Sequence, residues 1–149
     1  MAVAVQEQVS AQEPKGELSS RVLAMPSNAN PRGDIFGGWI MSLMDAAAAM
    51  TATKHATGRV VTVAVSALTF VRPIQVGDAV CCYTDVTLVG RTSLTLDVEV
   101  WVLRQGQGDR VLAAEGEFTF VAIDENGRPR RIAHRGASSE QASAEGRST

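Results

Sequence analysis

The chain has 149 residues, 45% hydrophobic and 20% charged, with a net charge of -2. That length suits one domain of roughly 100–150 residues, and the composition is globular, neither that of a disordered chain nor basic enough for a nucleic-acid binder. No apolar run approaches the roughly 20 residues of a membrane span and the N-terminus lacks the features of a signal peptide, so a cytoplasmic location is expected.

Residues 1–17 and 133–149 are rich in Ala, Gln, Glu, Ser and Gly without a sustained period, and are expected to be tails around a folded unit of residues 18–132. The first ordered piece, "LSSRVLAM", reads as a strand, and "PSNANPRGD" after it is dense in breakers. From Trp39 to about Ala56 strong helix formers run without Gly or Pro, and Gly58 supplies a stop. Ile40, Met41, Leu43, Met44, Ala46 to Ala49 and Met50 are distributed around this helix, which predicts burial on every side.

The first charge in that helix is Asp45 and the next is Lys54. A buried unpaired carboxylate costs several kcal/mol, so Asp45 calls for a partner, a wet cavity or a chemical role. The helix dipole does not account for it, because that effect fades beyond the first turn. A bland alternative stays open: Asp45 lies on an exposed strip with Ser42, or hydrogen-bonds a neighbouring turn. Gly37 and Gly38 stand just before Trp39, where unpaired N–H groups at a helix start can meet a ligand oxygen closely, as an oxyanion site requires. They could equally serve only to turn the chain into the helix.

The period then changes. "RVVTVAVSALTFVRP", "DAVCCYTDVTLVG", "TSLTLDVEVWVLRQ" and "RVLAAEGEFTFVAID" are long and rich in Val, Thr and Phe. In the third, Leu94, Leu96, Val98, Val100 and Val102 alternate with Thr95, Asp97, Glu99 and Trp101, giving one dry face and one wet one. The short connections "RPIQVGD", "GRT" and "QGQGD" favour antiparallel pairing of sequence neighbours. One strand, one helix and four long strands make an α+β fold, with a long curved antiparallel sheet wrapped around the helix. Cys81 and Cys82 are adjacent, point to opposite faces of a strand, and form neither a disulfide framework nor a zinc site. Trp39, Trp101, Phe70, Phe118 and Phe120 read as core or interface residues, with Phe36 the exception that could touch substrate. His55 and His134 read as structural or solvent-facing, and no G-x-S-x-G elbow is present.

Taken together, "GDIFGGWIMSLMD", "RVVTVAV", "F.RPI.VGD" and "VGRTS", in this order and spacing, resemble the hotdog-fold acyl-CoA thioesterases of the YciA type, over about Leu18 to Arg131. The resemblance implies a five-stranded antiparallel sheet around a central helix, homodimers with active sites at their interface, dimers assembling as a trimer of dimers into hexamers, and hydrolysis of acyl-CoA to free acid and CoA. It implies no cofactor beyond the coenzyme A carried by the substrate, no metal, and neither nucleic acid nor membrane as partner. Asp45 matches the family's catalytic aspartate, and Gly37 and Gly38 match the glycines whose backbone lies beside the thioester carbonyl. The segment Asn30 to Asp34 matches the loop lining the site opposite the aspartate, commonly from the other subunit. Arg91, Thr92 and Ser93 match the turn associated with the nucleotide end of CoA, a residue set suited to phosphate oxygens.

Two departures stand out. Pro31 and Arg32 replace the middle of the family's "NANG", so an asparagine role falls on Asn30 alone, and Ser66 stands where relatives often carry an acidic residue. The implied mechanism has Asp45 as general base toward water while the amides near Gly37 and Gly38 stabilise the oxyanion. Nucleophilic attack by Asp45 is the other route. The rival readings are a non-catalytic acyl-CoA sensor and a hydratase on the same fold, and the second would want a histidine paired with a carboxylate.

Overall fold

The computed structural model describes residues 13–104 and 107–133. Strand β1 (Glu17–Leu23) leads through a 3-10 turn (Pro26–Asn28) to helix α1 (Gly37–Ala56), followed by β2 (Val60–Phe70), β3 (Ala79–Val89), β4 (Ser93–Arg104) and β5 (Gln107–Ala122). The five strands form one antiparallel sheet in the order β1-β3-β4-β5-β2. Every element read from the sequence is present. His134 and most of both expected tails lie outside the described residues, while Glu17 already belongs to β1. No helix among the described residues is long and apolar enough to cross a membrane.

The strand pairing corrects one expectation. β3–β4 and β4–β5 are hairpin neighbours, but β2 pairs with β5 and not with β3. Three inter-strand gaps of about 4.8 Å separate β2 from β3, roughly 14 Å, and the eight residues from Val71 to Asp78 can reach up to about 26 Å. A connection short enough for a hairpin is therefore also long enough to cross the end of the sheet. Its middle is fixed there by Ile74, which is buried and whose carbonyl accepts the Ile35 N–H at 2.8 Å.

Helix α1 packs against the sheet through Ile40, Met44, Ala47, Ala48, Ala52 and Ala56, all buried. Four alanines in this row let the helix backbone approach the inner faces of the strands, which contribute Val80, Cys82, Leu94, Leu96, Val98, Val100, Val102, Phe118 and Phe120 to the same core. A triangle of hydroxyls, Ser19–Thr84 at 2.6 Å, Thr51–Thr84 at 2.8 Å and Ser19–Thr51 at 3.2 Å, ties the helix to β1 and β3. At the helix end Thr57 takes the left-handed conformation, so the stop begins one residue before Gly58. The Arg130 guanidinium donates to the Ala56 carbonyl at 2.9 Å and to the Ile123 carbonyl at 3.1 Å, satisfying an acceptor the helix leaves free.

Two burial expectations are also corrected. The helix is not covered all round by its own chain, since Met41 and Met50 are exposed and Asp45 is half-buried. Trp101, which the strand alternation puts on the wet face although its type reads as core or interface, is buried as its type predicts, with Cys81 and Tyr83 in a small second cluster on the outer side of the sheet against which Leu112 packs. Its indole N–H donates to Glu99 at 3.1 Å. The rest of the β4 alternation holds, with Leu94 to Val102 dry on the inner side and Thr95, Asp97 and Glu99 half-exposed on the outer.

Candidate active site

Asp45 sits on the open face of α1, and its Oδ1 accepts a hydrogen bond from the Thr62 hydroxyl on β2 at 2.6 Å. Thr62 lies in the middle of "RVVTVAV" and was not singled out by sequence reasoning, because only the register of β2 against the helix brings it to Asp45. One carboxylate oxygen is thus oriented by the Thr62 hydroxyl. Of the alternatives the sequence leaves open for Asp45, the structure supplies a hydrogen-bond partner and partial exposure.

Gly37 and Gly38 are the first two residues of α1, and Phe36 before them provides no side-chain cap. The opening N–H groups are therefore left for an external acceptor at the positive end of the dipole. A Cβ on Gly37 would rest against the Phe70 ring at 3.4 Å, whereas one on Gly38 would meet nothing within 4 Å. Phe36 and Phe70 are both about half exposed and flank this helix start.

Residues 30–34 form a self-supporting loop. The Asn30 Oδ1 accepts from the Arg32 N–H at 2.9 Å and the Asp34 N–H at 3.1 Å, and the Asn30 N–H donates to the Asp34 carbonyl at 2.7 Å. Asn30 thus braces a turn that accommodates Pro31. Asp34 is half-buried and bridges to Gln75 through the backbone.

Arg91, Thr92 and Ser93 occupy the β3–β4 turn, with Arg91 exposed. The carbonyls of Arg91 and Thr92 accept from the Ile132 and Ala122 N–H groups at 2.8 Å each. The same backbone ties bring Arg59, Arg128, Arg130 and Arg131 to this end of the sheet, beside the C-terminus of α1. Only Arg91 of these was marked from the sequence, since the others are gathered by long-range pairing.

Distance divides the site. Gly37 and Asp45 are eight residues apart, so at about 1.5 Å per residue they lie about 12 Å apart along one helix axis. A single thioester, whose carbonyl oxygen and reacting carbon must each sit about 3 Å from its partner group, does not span that gap. Within one chain the structure brings Asp45 together with Thr62, and the glycine donors together with Phe36 and Phe70, but not the two groups with each other.

The remaining nucleophiles are quiet. Burial pushes the Cys82 thiol up to about 11, and Cys81 is buried on the other face. His55 contacts the Thr51 carbonyl at 3.1 Å within the last helical turns. Among the described residues there is no group of three or more His, Cys, Asp or Glu arranged to hold a metal ion.

The thioesterase superfamily profile matches residues 32–108. An uncharacterized acyl-CoA thioester hydrolase of Haemophilus influenzae is 54% identical over 121 residues, covering 79% of each chain. The acyl-CoA thioester hydrolase YciA of Escherichia coli K12 is 48% identical over 122 residues, covering 80% of this chain and 92% of that one. Among solved structures, a hexameric thioesterase from Yersinia pestis superposes with a TM-score of 0.79 at 49% identity, covering 82% of this chain and 99% of that one. A hexameric broad-specificity acyl-coenzyme A thioesterase superposes with a TM-score of 0.78 at 49% identity, covering 91% and 94%. With its hotdog architecture and this degree of identity over most of its length, the chain belongs to the thioesterase superfamily, alongside the YciA-type acyl-CoA thioester hydrolases.

Proposed function

We propose that the chain hydrolyses acyl-CoA thioesters at a site assembled from two subunits. The observation that carries this reading is the division of the site: Asp45 with Thr62 on one helix face, and the uncapped N–H groups of Gly37 and Gly38 about 12 Å away on the same helix. Two antiparallel copies of α1 set side by side would place the aspartate of one against the helix start of the other. The single chain supports such pairing. β2 is an edge strand, and Val61, Val63 and Val65 on it are exposed together with Met41 and Met50 of α1. A second copy adding its own β2 would cover that apolar face and continue the sheet. The hexameric assembly of the solved relatives extends this to a trimer of dimers.

In the reaction Asp45 takes a proton from a water whose oxygen attacks the thioester carbonyl carbon. The N–H groups of Gly37 and Gly38 hold the resulting oxyanion. Collapse breaks the C–S bond, and CoA leaves as a thiolate, stable enough that no strong general acid is needed. The free acid is the other product. Thr62 fixes the Asp45 carboxylate, Asn30, Asp34 and Phe36 line the opposite wall, and Arg91, Thr92 and Ser93 receive the CoA phosphates, with Arg59, Arg128 and Arg131 adding positive charge nearby.

A panel of short to long acyl-CoAs, followed by release of free CoA thiol, tests the reading. Wild type is expected to turn over, and Asp45→Asn to lose at least about a hundredfold in kcat. Full activity in Asp45→Asn would remove the catalytic assignment, and tight binding without turnover in wild type would identify a sensor.

A further inference from the structure

The β2–β3 connection is a strap held at both ends. The Val71 and Arg72 N–H groups donate to the Ala113 carbonyl at 2.7 and 3.1 Å, and the Gly77 N–H donates to the Ala24 carbonyl at 2.8 Å. The approach to the helix hangs on its middle: Ile35 N–H donates to the Ile74 carbonyl at 2.8 Å, and Asp34 bridges Gln75. Two residues after Ile35 the chain reaches Gly37.

Asp78 closes this strap. Its side chain has zero exposure, its Oδ2 accepts the Gln75 N–H at 2.9 Å, and the Arg104 guanidinium lies 3.5 Å away. Its Oδ1 is buried without a partner among the described residues. A carboxylate with one oxygen unsatisfied is an expensive means of accepting one N–H, which an uncharged Asn or Ser would do at less cost. The added property of the carboxylate is its ion pair with Arg104 at the end of β4, which fixes the side chain against the sheet.

We infer that Asp78 is a positioning residue for the electrophilic half of the site, acting through Gln75 and Ile74 on residues 34–35 and so on the N–H groups of Gly37 and Gly38. The inference rests on the function proposed above. It predicts that loosening Asp78 leaves substrate binding nearly intact and slows the chemical step.

The test compares Asp78→Leu, which keeps the branched shape and removes the acceptor, with Asp78→Asn, which keeps an acceptor for the Gln75 N–H. Asp78→Leu, folded and in the wild-type oligomeric state, is expected to lose about tenfold or more in kcat, with KM changed less than about threefold, because misplacing catalytic groups by about 1 Å is enough. Asp78→Asn is expected to recover part of that loss, since it restores the acceptor for the Gln75 N–H but not the ion pair with Arg104. Unchanged kcat in folded Asp78→Leu, or Asp78→Asn as slow as Asp78→Leu, overturns the inference. If Asp78→Leu does not fold, Arg104→Gln takes its place, since Arg104 is partly exposed at 44%. Amide hydrogen exchange at Ile35 and Gln75 should then quicken and kcat fall; unchanged exchange and kcat overturn it. Exchange is read without substrate, so it reports on the brace even if wild type proves not to hydrolyse acyl-CoA.

Discussion

The Thr62 hydroxyl, 2.6 Å from Asp45, orients the carboxylate without being part of the helix that carries it. Thr62→Val keeps the branched shape and removes the donor. Because Thr62 is exposed, the change should move stability by less than about 1 kcal/mol while lowering kcat about tenfold, measurable by steady-state kinetics beside a thermal melt. Under the proposed function Arg91 serves binding rather than chemistry. Arg91→Ala should raise KM several-fold with kcat nearly unchanged, and wild-type KM should rise with ionic strength, both read in one salt titration. At this scale Asp45, Gly37 and Gly38 were legible because they are close in sequence and their cost or freedom is local. Thr62, the arginine group and Asp78 were not, since a hydrogen bond across 17 residues or a burial set by strand register leaves no periodic trace.

Individual elements expose the limits of pattern reading differently. The extent of α1 followed from propensity and stop signals, but its apolar circumference could not say whether its cover comes from its own sheet or from another chain. Likewise a Gly- or Pro-containing connection of eight residues fits a hairpin and a crossing strap equally well, and only the pairing of β2 with β5 decides. The outer face of β3–β5 adds a penalty within the sheet itself. Asp97 stands opposite both Asp85 and Glu117, with Glu99 opposite Glu115 in the next row. Desolvation, then Glu117, pushes the Asp97 carboxyl above its ordinary 3.8, against the pull of Lys15. The native state therefore holds this proton more tightly than the unfolded chain, so the group's contribution to stability is fully present below 3.8 and is lost as pH rises through the elevated native value. Glu117→Gln should stabilise the protein at pH 7 by a few tenths of a kcal/mol and reduce that loss on going from pH 4 to pH 7, as melts at the two values will show.

For the whole molecule, the proposed pairing makes the apolar side formed by β2 and the open face of α1 the element that would set the oligomer and, through it, the activity. A lysine at Val63, which is 54% exposed at the sheet edge, leaves the core of the single chain untouched and should block edge pairing. Val63→Lys is expected to sediment as a smaller species than wild type and to lose activity while keeping its far-UV circular dichroism. A melting temperature that rises with protein concentration in wild type, and not in the variant, would report the same linkage.

The two cysteines, both buried and one with its proton held up to about 11, make the chain inert toward thiol-reactive dyes while folded. A chromogenic disulfide reagent added during turnover will therefore colour only with the coenzyme that is set free, and the enzyme contributes no background. On unfolding the same reagent should gain two equivalents per chain, matching the two cysteines of the sequence. One reagent in one cuvette thus counts product while the fold persists and counts molecules once it is lost.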